Sequence, residues 1–306
     1  MRQLVSKFKF SFFIVTLCCL PNLSFAEQEG AAEQKTVKEK TINESNNKNF
    51  QPFPVSLKKQ QKEDLKHYLP ATKVKPILVG TDDYLTLVNE NTRANHKGVA
   101  MLIPDWRQGA VNPKAINYLR KTLPQHGWTT ISVQVAPKPN NFPSTALKVS
   151  EQKEENKKII DEYKTSFSAL INAVYEKAKE YPGIVIIIAQ GNHGALLVDL
   201  LAENENITPN GIVLLSSYRL TNPKLLEQTN TDFARALANS EPPILDLYLK
   251  YDNDIVINKA PQRLSIAKQE MKIYYRQRQL NNMATGFYPE KELLTQINSW
   301  LKAIGW

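Results

Sequence analysis

The sequence predicts an α/β fold with a mostly parallel sheet and helices on both faces. Three observations carry that expectation. Apolar runs without polar alternation recur along the chain, among them "KGVAMLI", "IVIIIA" and "NGIVLL", as strands buried on both faces require. Stretches with apolar residues at helical spacing separate them; the longest sets Ile160, Tyr163, Phe167, Leu170, Ile171 and Val174 on one stripe. Strands alternating with helices need crossover connections, and crossovers give parallel pairing.

The elements follow in chain order. Arg2, Lys7 and Lys9 make a basic start, "FSFFIVTLCCL" an apolar stretch from Phe10 to Leu20, and "LSFA" ends in small residues. This order predicts a secretory signal peptide over residues 1–26, cut after Ala26, and a periplasmic mature protein. The apolar run is too short to span a bilayer, so no transmembrane anchor is expected after cleavage. Cys18 and Cys19, the two cysteines of the chain, fall inside that leader. The mature chain then has no thiol for a disulfide, a nucleophile or a metal. Losing the three basic residues lowers the formal charge from +9 to +6. With secretion and no basic–aromatic motif, that modest excess excludes a nucleic-acid binder.

Residues 27–56 are rich in Glu, Gln, Lys and Asn and poor in aliphatics. Such a composition cannot bury enough surface to offset its ordering entropy, which predicts a disordered polar lead-in before one domain over residues 57–306. In that domain "KKQQKEDLKHYL" (Lys58 to Leu69) has helical spacing and Pro70 stops it. "KPILVG" and "DYLTLVNE" are short strands around Thr81-Asp82-Asp83, and "KGVAMLIPD" is a third. "NPKAINYLRKTLPQHG" is a helix with Pro113 near its first turn and Gly127 past its end, and "WTTISVQVAP" is the fourth strand. The polar stretch "NFPSTALKVSEQKEEN" connects it to a long amphipathic helix, placed at Lys157 to Glu180 and stopped by Pro182-Gly183. "IVIIIA" is followed by a tight turn and a helix from Ala195 to Glu203. Asn210 to Ser217, Pro242 to Lys250 and Lys272 to Leu280 supply three further strands, and a helix from Glu290 to Ile304 closes the chain.

The turn in "IIIAQGNHGALL" carries the chemical question. Hydrolases place a nucleophile on such a turn, with small residues two before and two after it, because strand and helix backbones approach closely there. With His193 at the tip the flanks are Gly191 and Ala195; with Asn192 they are Gln190 and Gly194. The tip takes positive φ, which Asn tolerates, and that favours Asn192. Neither register supplies an activated nucleophile. The mature chain's histidines are His67, His96, His126 and His193, so none follows position 193 to serve as the late base. Asp252 and Asp254 in "KYDNDI" stand where the triad acid belongs. "NHG" echoes the phosphate-accepting histidine of phosphatases, yet no arginine lies between Arg120 and Arg219 to clamp a phosphate. The scattered histidines lack ligand spacing, so no metal site is expected. No Gly-rich phosphate loop follows an early strand, so no cofactor is expected either.

Taken together, "EDLKHYL", "KGVAMLIPDW", "LPQHGWTTISVQVAP", "AQGNHGALLVDLL", "PPILDLY" and "YYRQ" resemble the bacterial family called domain of unknown function 3530, itself similar to α/β-hydrolases. The resemblance runs from about Gln61 to about Leu280. It implies an α/β-hydrolase-like fold and a secreted, periplasmic protein, and it implies no reaction.

Ligands of an open parallel sheet bind beyond the carboxyl ends of its strands. That rule picks out four loops, residues 104–109, Gln190 to Gly194, Ser216 to Arg219 and Asp252 to Asp254, and gathers a candidate pocket from Asp105, Trp106, Gln190, Asn192, His193, Asp252 and Asp254. No residue is assigned as catalytic. Trp106 is open to two readings, aromatic packing over the sheet edge or a ligand platform. Arg276 and Gln277 are expected to satisfy buried polar groups. Two function classes follow. The first is non-catalytic binding of an unknown small molecule or envelope partner through a degenerate cleft, which the missing nucleophile and base favour. The second is an esterase-like hydrolase with an atypical centre using Asp105 or Asp252 as base.

Overall fold

The computed structural model describes residues 55–111 and 114–306; the expected leader and nearly all of the polar lead-in lie outside the described residues. The eight strands are β1 (Val74–Val79), β2 (Asp82–Asn89), β3 (Gly98–Ile103), β4 (Trp128–Val133), β5 (Ile184–Gln190), β6 (Gly211–Leu215), β7 (Ile244–Leu249) and β8 (Tyr275–Leu280). They form one sheet in the order β1-β2-β4-β3-β5-β6-β7-β8. β1 and β2 make an antiparallel hairpin, β2 runs antiparallel to β4, and every pairing beyond is parallel. Ile186, Ile187 and Ile188 in β5 are fully buried, each contributing about 2 kcal/mol by leaving water.

The chain order reverses at β3, which pairs with β4 on one side and β5 on the other. A crevice opens at such a point because successive connections leave in opposite directions. Its register is specific: Ile103 lies opposite Ala189. Two residues further on, Asp105 comes alongside Gly191.

Seven helices cover the sheet among the described residues: α1 (Leu57–Tyr68), α2 (Ala115–Thr122), α3 (Val149–Lys179), α4 (Gly191–Glu203), α5 (Leu226–Asn239), α6 (Asp254–Gln269) and α7 (Glu290–Ala303). α3, α4 and α5 pack on one face through Phe167, Leu170, Leu197, Phe233 and Leu237. α2 and α7 pack on the other through Ile116, Leu119, Ile297 and Trp300. Leu65 of α1 joins Leu85 and Leu87 of β2 in a smaller cluster. α6 is tied to β7 by a buried ion pair, Arg263 Nε to Asp246 Oδ2 at 2.8 Å. Tyr275 Oη and Gln277 Nε2 also donate to Asp246 Oδ2, at 2.7 and 2.9 Å, so Gln277 meets its expected role of satisfying buried polar groups. No helix among the described residues is long and apolar enough to cross a membrane.

Two helix starts differ from expectation. α3 begins at Val149 instead of Lys157, because its first turns are polar and present no apolar stripe to reveal them. Their job is to hold loops: Asn156 accepts the Ser144 N–H at 2.7 Å and donates to Asn222 at 2.6 Å. α4 begins at Gly191 instead of Ala195, which decides the geometry of the turn.

Candidate functional site

β5 ends at Gln190, which is buried, and the chain enters α4 at Gly191 with φ +59°. Gly191 is therefore the tip, and neither Asn192 nor His193 takes positive φ. This corrects the register expected from sequence. Ala189 precedes the tip by two residues and His193 follows it by two. Glycine reaches this conformation without steric cost, but it brings no side chain to attack with. The position where a hydrolase carries its nucleophile is empty of chemistry.

The space beside it is filled. A Cβ built at Gly191 would collide with Oδ1, Cγ and Cβ of Asp105. Asp105 Oδ1 accepts the Asn192 backbone N–H at 2.8 Å, and the backbone N–H of Trp106 lies near enough to favour the charged form of the same carboxyl. In α/β-hydrolases the N–H after the nucleophile and an N–H from the loop after the third strand form the oxyanion hole. Here the first of these donors, the Asn192 N–H, holds a carboxylate of the protein itself, and the second, the Trp106 N–H, lies beside it. Burial pushes the Asp105 carboxyl up from 3.8 to about 6, against the pull of those N–H groups and of Arg107. Above that pKa the site carries an internal anion where a transition-state oxyanion would sit.

His193 points into the core and is inaccessible. Its ring stacks on Phe167 at 5.0 Å and on Tyr163 at 5.9 Å. Nδ1 lies 2.5 Å from the Pro104 carbonyl, which only accepts, so the network assigns the proton to Nδ1. Nε2 lies 2.7 Å from the Tyr163 hydroxyl, whose one proton is shared between Nε2 and the Ala136 carbonyl at 2.6 Å. Burial lowers its pKa from 6.5 to about 4, so the ring is neutral near pH 7. Trp106 is also buried, edge-on to Phe142 at 5.6 Å and to Tyr163 at 6.1 Å. Both residues were expected in the pocket; both are core, because the loops that carry them turn these apolar rings under the sheet edge.

The acid loop is built around Asp252. Its Oδ2 accepts the Ser216 hydroxyl at 2.5 Å and the Leu249 N–H at 2.9 Å, and Oδ1 accepts the Asn253 N–H at 2.8 Å. Ser216 follows β6 with φ +49°. Since its one proton goes to Asp252, its Oγ accepts the hydroxyl of Tyr288. Tyr288 lies in the loop after β8, where a hydrolase carries its histidine. Burial raises its phenol far above the ordinary value, so it stays protonated and does not act as a base. Tyr218 lies within electrostatic reach of both Asp105 and Asp252. Asp254 does not join the site: it is exposed in the first turn of α6, whose cap is Asn253.

The structure thus unites Asp105, Gln190, Asn192 and Asp252 at the carboxyl edge of the sheet and separates Trp106, His193 and Asp254 from it. Sequence reasoning missed Gly191 as the tip and Tyr288, while the loop it picked out from Ser216 to Arg219 does supply Ser216. A usable signal existed for the first: of Gly191, Asn192 and His193, glycine takes positive φ most readily. Among the described residues, no group of three or more His, Cys, Asp or Glu side chains is arranged to hold a metal ion.

Comparison with known proteins finds the same fold. The native esterase 2 of Thermogutta terrifontis superposes with a TM-score of 0.54 at 12% identity, over 78% of this chain and 95% of that one. TT1662 from Thermus thermophilus gives 0.51 at 12% identity, over 76% and 98%. A putative dienelactone hydrolase from Klebsiella pneumoniae subsp. pneumoniae gives 0.50 at 13% identity, over 75% and 98%. At such identities the likeness shows the α/β-hydrolase fold and says nothing of a reaction. No curated protein matches the chain in sequence. The model of the family described as "Protein of unknown function (DUF3530)" matches residues 10–303, and the chain belongs to that family.

Proposed function

We propose that this protein is a non-catalytic α/β-hydrolase-fold protein of the periplasm, one that binds a small molecule or an envelope partner at the carboxyl edge of its sheet. One observation carries the reading: glycine at the nucleophile position, with Asp105 filling the space beside it and seated on the Asn192 N–H. Catalysis of acyl transfer needs a nucleophile, a base of suitable pKa and a vacant oxyanion hole. The first has no side chain here, the histidine is sealed in the core, and the Asn192 N–H is taken by Asp105. The periplasmic part rests on the order of basic, apolar and small residues in positions 1–26.

The test is labelling of the native protein with a serine-directed fluorophosphonate, beside turnover of p-nitrophenyl acetate. Neither label nor turnover above the uncatalysed rate is expected. A second reading, an atypical esterase, draws on Ser216, a serine at positive φ whose hydroxyl meets a carboxylate. Against it, Ser216 is buried, its proton is committed to Asp252 and its oxygen to Tyr288. Stoichiometric labelling that disappears in Ser216→Ala would establish this second reading in place of the first.

A further inference from the structure

The strongest unexplained charge in the molecule lies away from the hydrolase centre. Arg120, in α2, is only 3% exposed. Its guanidinium bonds to a neutral group, the Asn117 side-chain oxygen, at 3.2 Å from Nε and 2.8 Å from Nη2. No carboxylate among the described residues lies within ion-pair distance of it. The other buried arginine, Arg263, pairs with Asp246, and the half-buried Arg219 pairs with Asp199. A buried cation without a counter-charge is costly, and proteins pair such groups or use them to hold an anion.

Arg120 and Asn117 line a cavity of about 370 Å³ between α1 and the body of the protein. Its volume is that of a small-molecule site. Lys121 adds a second cation, and Gln134 bridges to Gln61 of α1 at 2.7 Å, mooring the helix over the cavity. Leu65, Tyr68, Leu69 and Val111 give it an apolar wall. Asp64 is the one carboxylate of the lining, exposed on α1 and unpaired with Arg120.

We propose that this cavity binds a small amphiphilic anion, an acyl or aryl body ending in a carboxylate or phosphate that is forked by Arg120. Beyond the Nε and Nη2 protons that Asn117 takes, the guanidinium keeps N–H donors on Nη1 and Nη2, and such a pair matches either headgroup. The apolar wall takes the body. Lys121, at the open side, adds attraction without fixing geometry.

The test is isothermal titration calorimetry of the mature chain with octanoate, octyl phosphate and, as the uncharged control, octanol. At least one of the anions is expected to bind about tenfold or more tightly than octanol, and the tighter of the two identifies the headgroup. Asn117→Asp places a carboxylate where the Arg120 fork already bonds, so it is expected to lose that preference by about tenfold or more while its Tm holds or rises. Arg120→Met is expected to lose it as well. If neither anion outbinds octanol, or if either folded variant keeps the wild-type preference, the proposal is overturned.

Discussion

Asp105→Asn keeps the shape of the side chain and an oxygen for the Asn192 N–H, and removes the charge. In the wild type, burial raises this carboxyl from 3.8 to about 6. A shift of about two units corresponds to about 3 kcal/mol, a cost borne once the group ionises. Because the folded pKa is the higher one, the stabilising contribution is complete while the group is protonated in both states, below about pH 4, and is lost as pH rises through 6. His193 works in the opposite sense. Its folded pKa is depressed from 6.5 to about 4, so its contribution is complete above 6.5 and is lost as pH falls towards 4, again about 3 kcal/mol. The two slopes share one window and largely cancel in the wild type. Asp105→Asn leaves only the histidine slope. Scanning calorimetry should therefore show the variant melting higher by several degrees at about pH 7.5, on the order of 6–10 °C for a domain of this size. That gap should close as pH approaches 4. A variant less stable than wild type at neutral pH, or a gap that does not change with pH, would refute the reasoning. It would mean that the backbone N–H groups outweigh desolvation of the carboxylate.

Gly191→Ala forces a Cβ into positive φ and into Asp105, and should cost about 2 kcal/mol or more by urea unfolding; the cost should shrink in an Asp105→Ala background. Gly194→Ala should destabilise because its Cβ meets Ser217 Oγ across the α4–β6 contact, and Ser217→Ala should relieve part of that. Asp246→Ala strands a buried guanidinium and should cost about 3–5 kcal/mol, more than replacing both partners by apolar residues. Protein exported from a Gram-negative host should give an intact mass beginning at Glu27, and brief proteolysis should leave a core starting near Lys58; a full-length product or an untrimmed one contradicts those expectations.

The strands were legible because both faces of the sheet are covered, which leaves runs such as "IVIIIA" unbroken by polar residues. The first turns of α3 were not, since their polar side chains serve loops and carry no periodicity. At the site, the carboxyl-edge rule found the right loops without telling which side chains turn inward. Trp106 and His193 face the core because α3 lies beneath them, and Phe167 and Tyr163 belong to a helix many residues away. The tip of the turn depends on where β5 stops. That is fixed by pairing, with Gln190 opposite Leu215 of β6, and no local pattern records it. Likewise the missing histidine was visible by inspection, whereas Tyr288 reaching back to Ser216 is a contact between distant loops.

The carboxylate at position 105 also governs what routes through sequence space are open to this turn. A serine introduced at 191 alone would meet Asp105 before it met any substrate, so that single step loses stability and gains no chemistry. Removing Asp105 first frees both the nucleophile's volume and the Asn192 N–H, after which position 191 accepts a side chain. The steps toward a nucleophile therefore have a compulsory order, and the intermediate is a protein with an open oxyanion hole and nothing to attack with. Laboratory selection for esterase activity that samples one substitution at a time from this chain is expected to stall at position 191, and libraries randomised jointly at 105 and 191 are where it would advance.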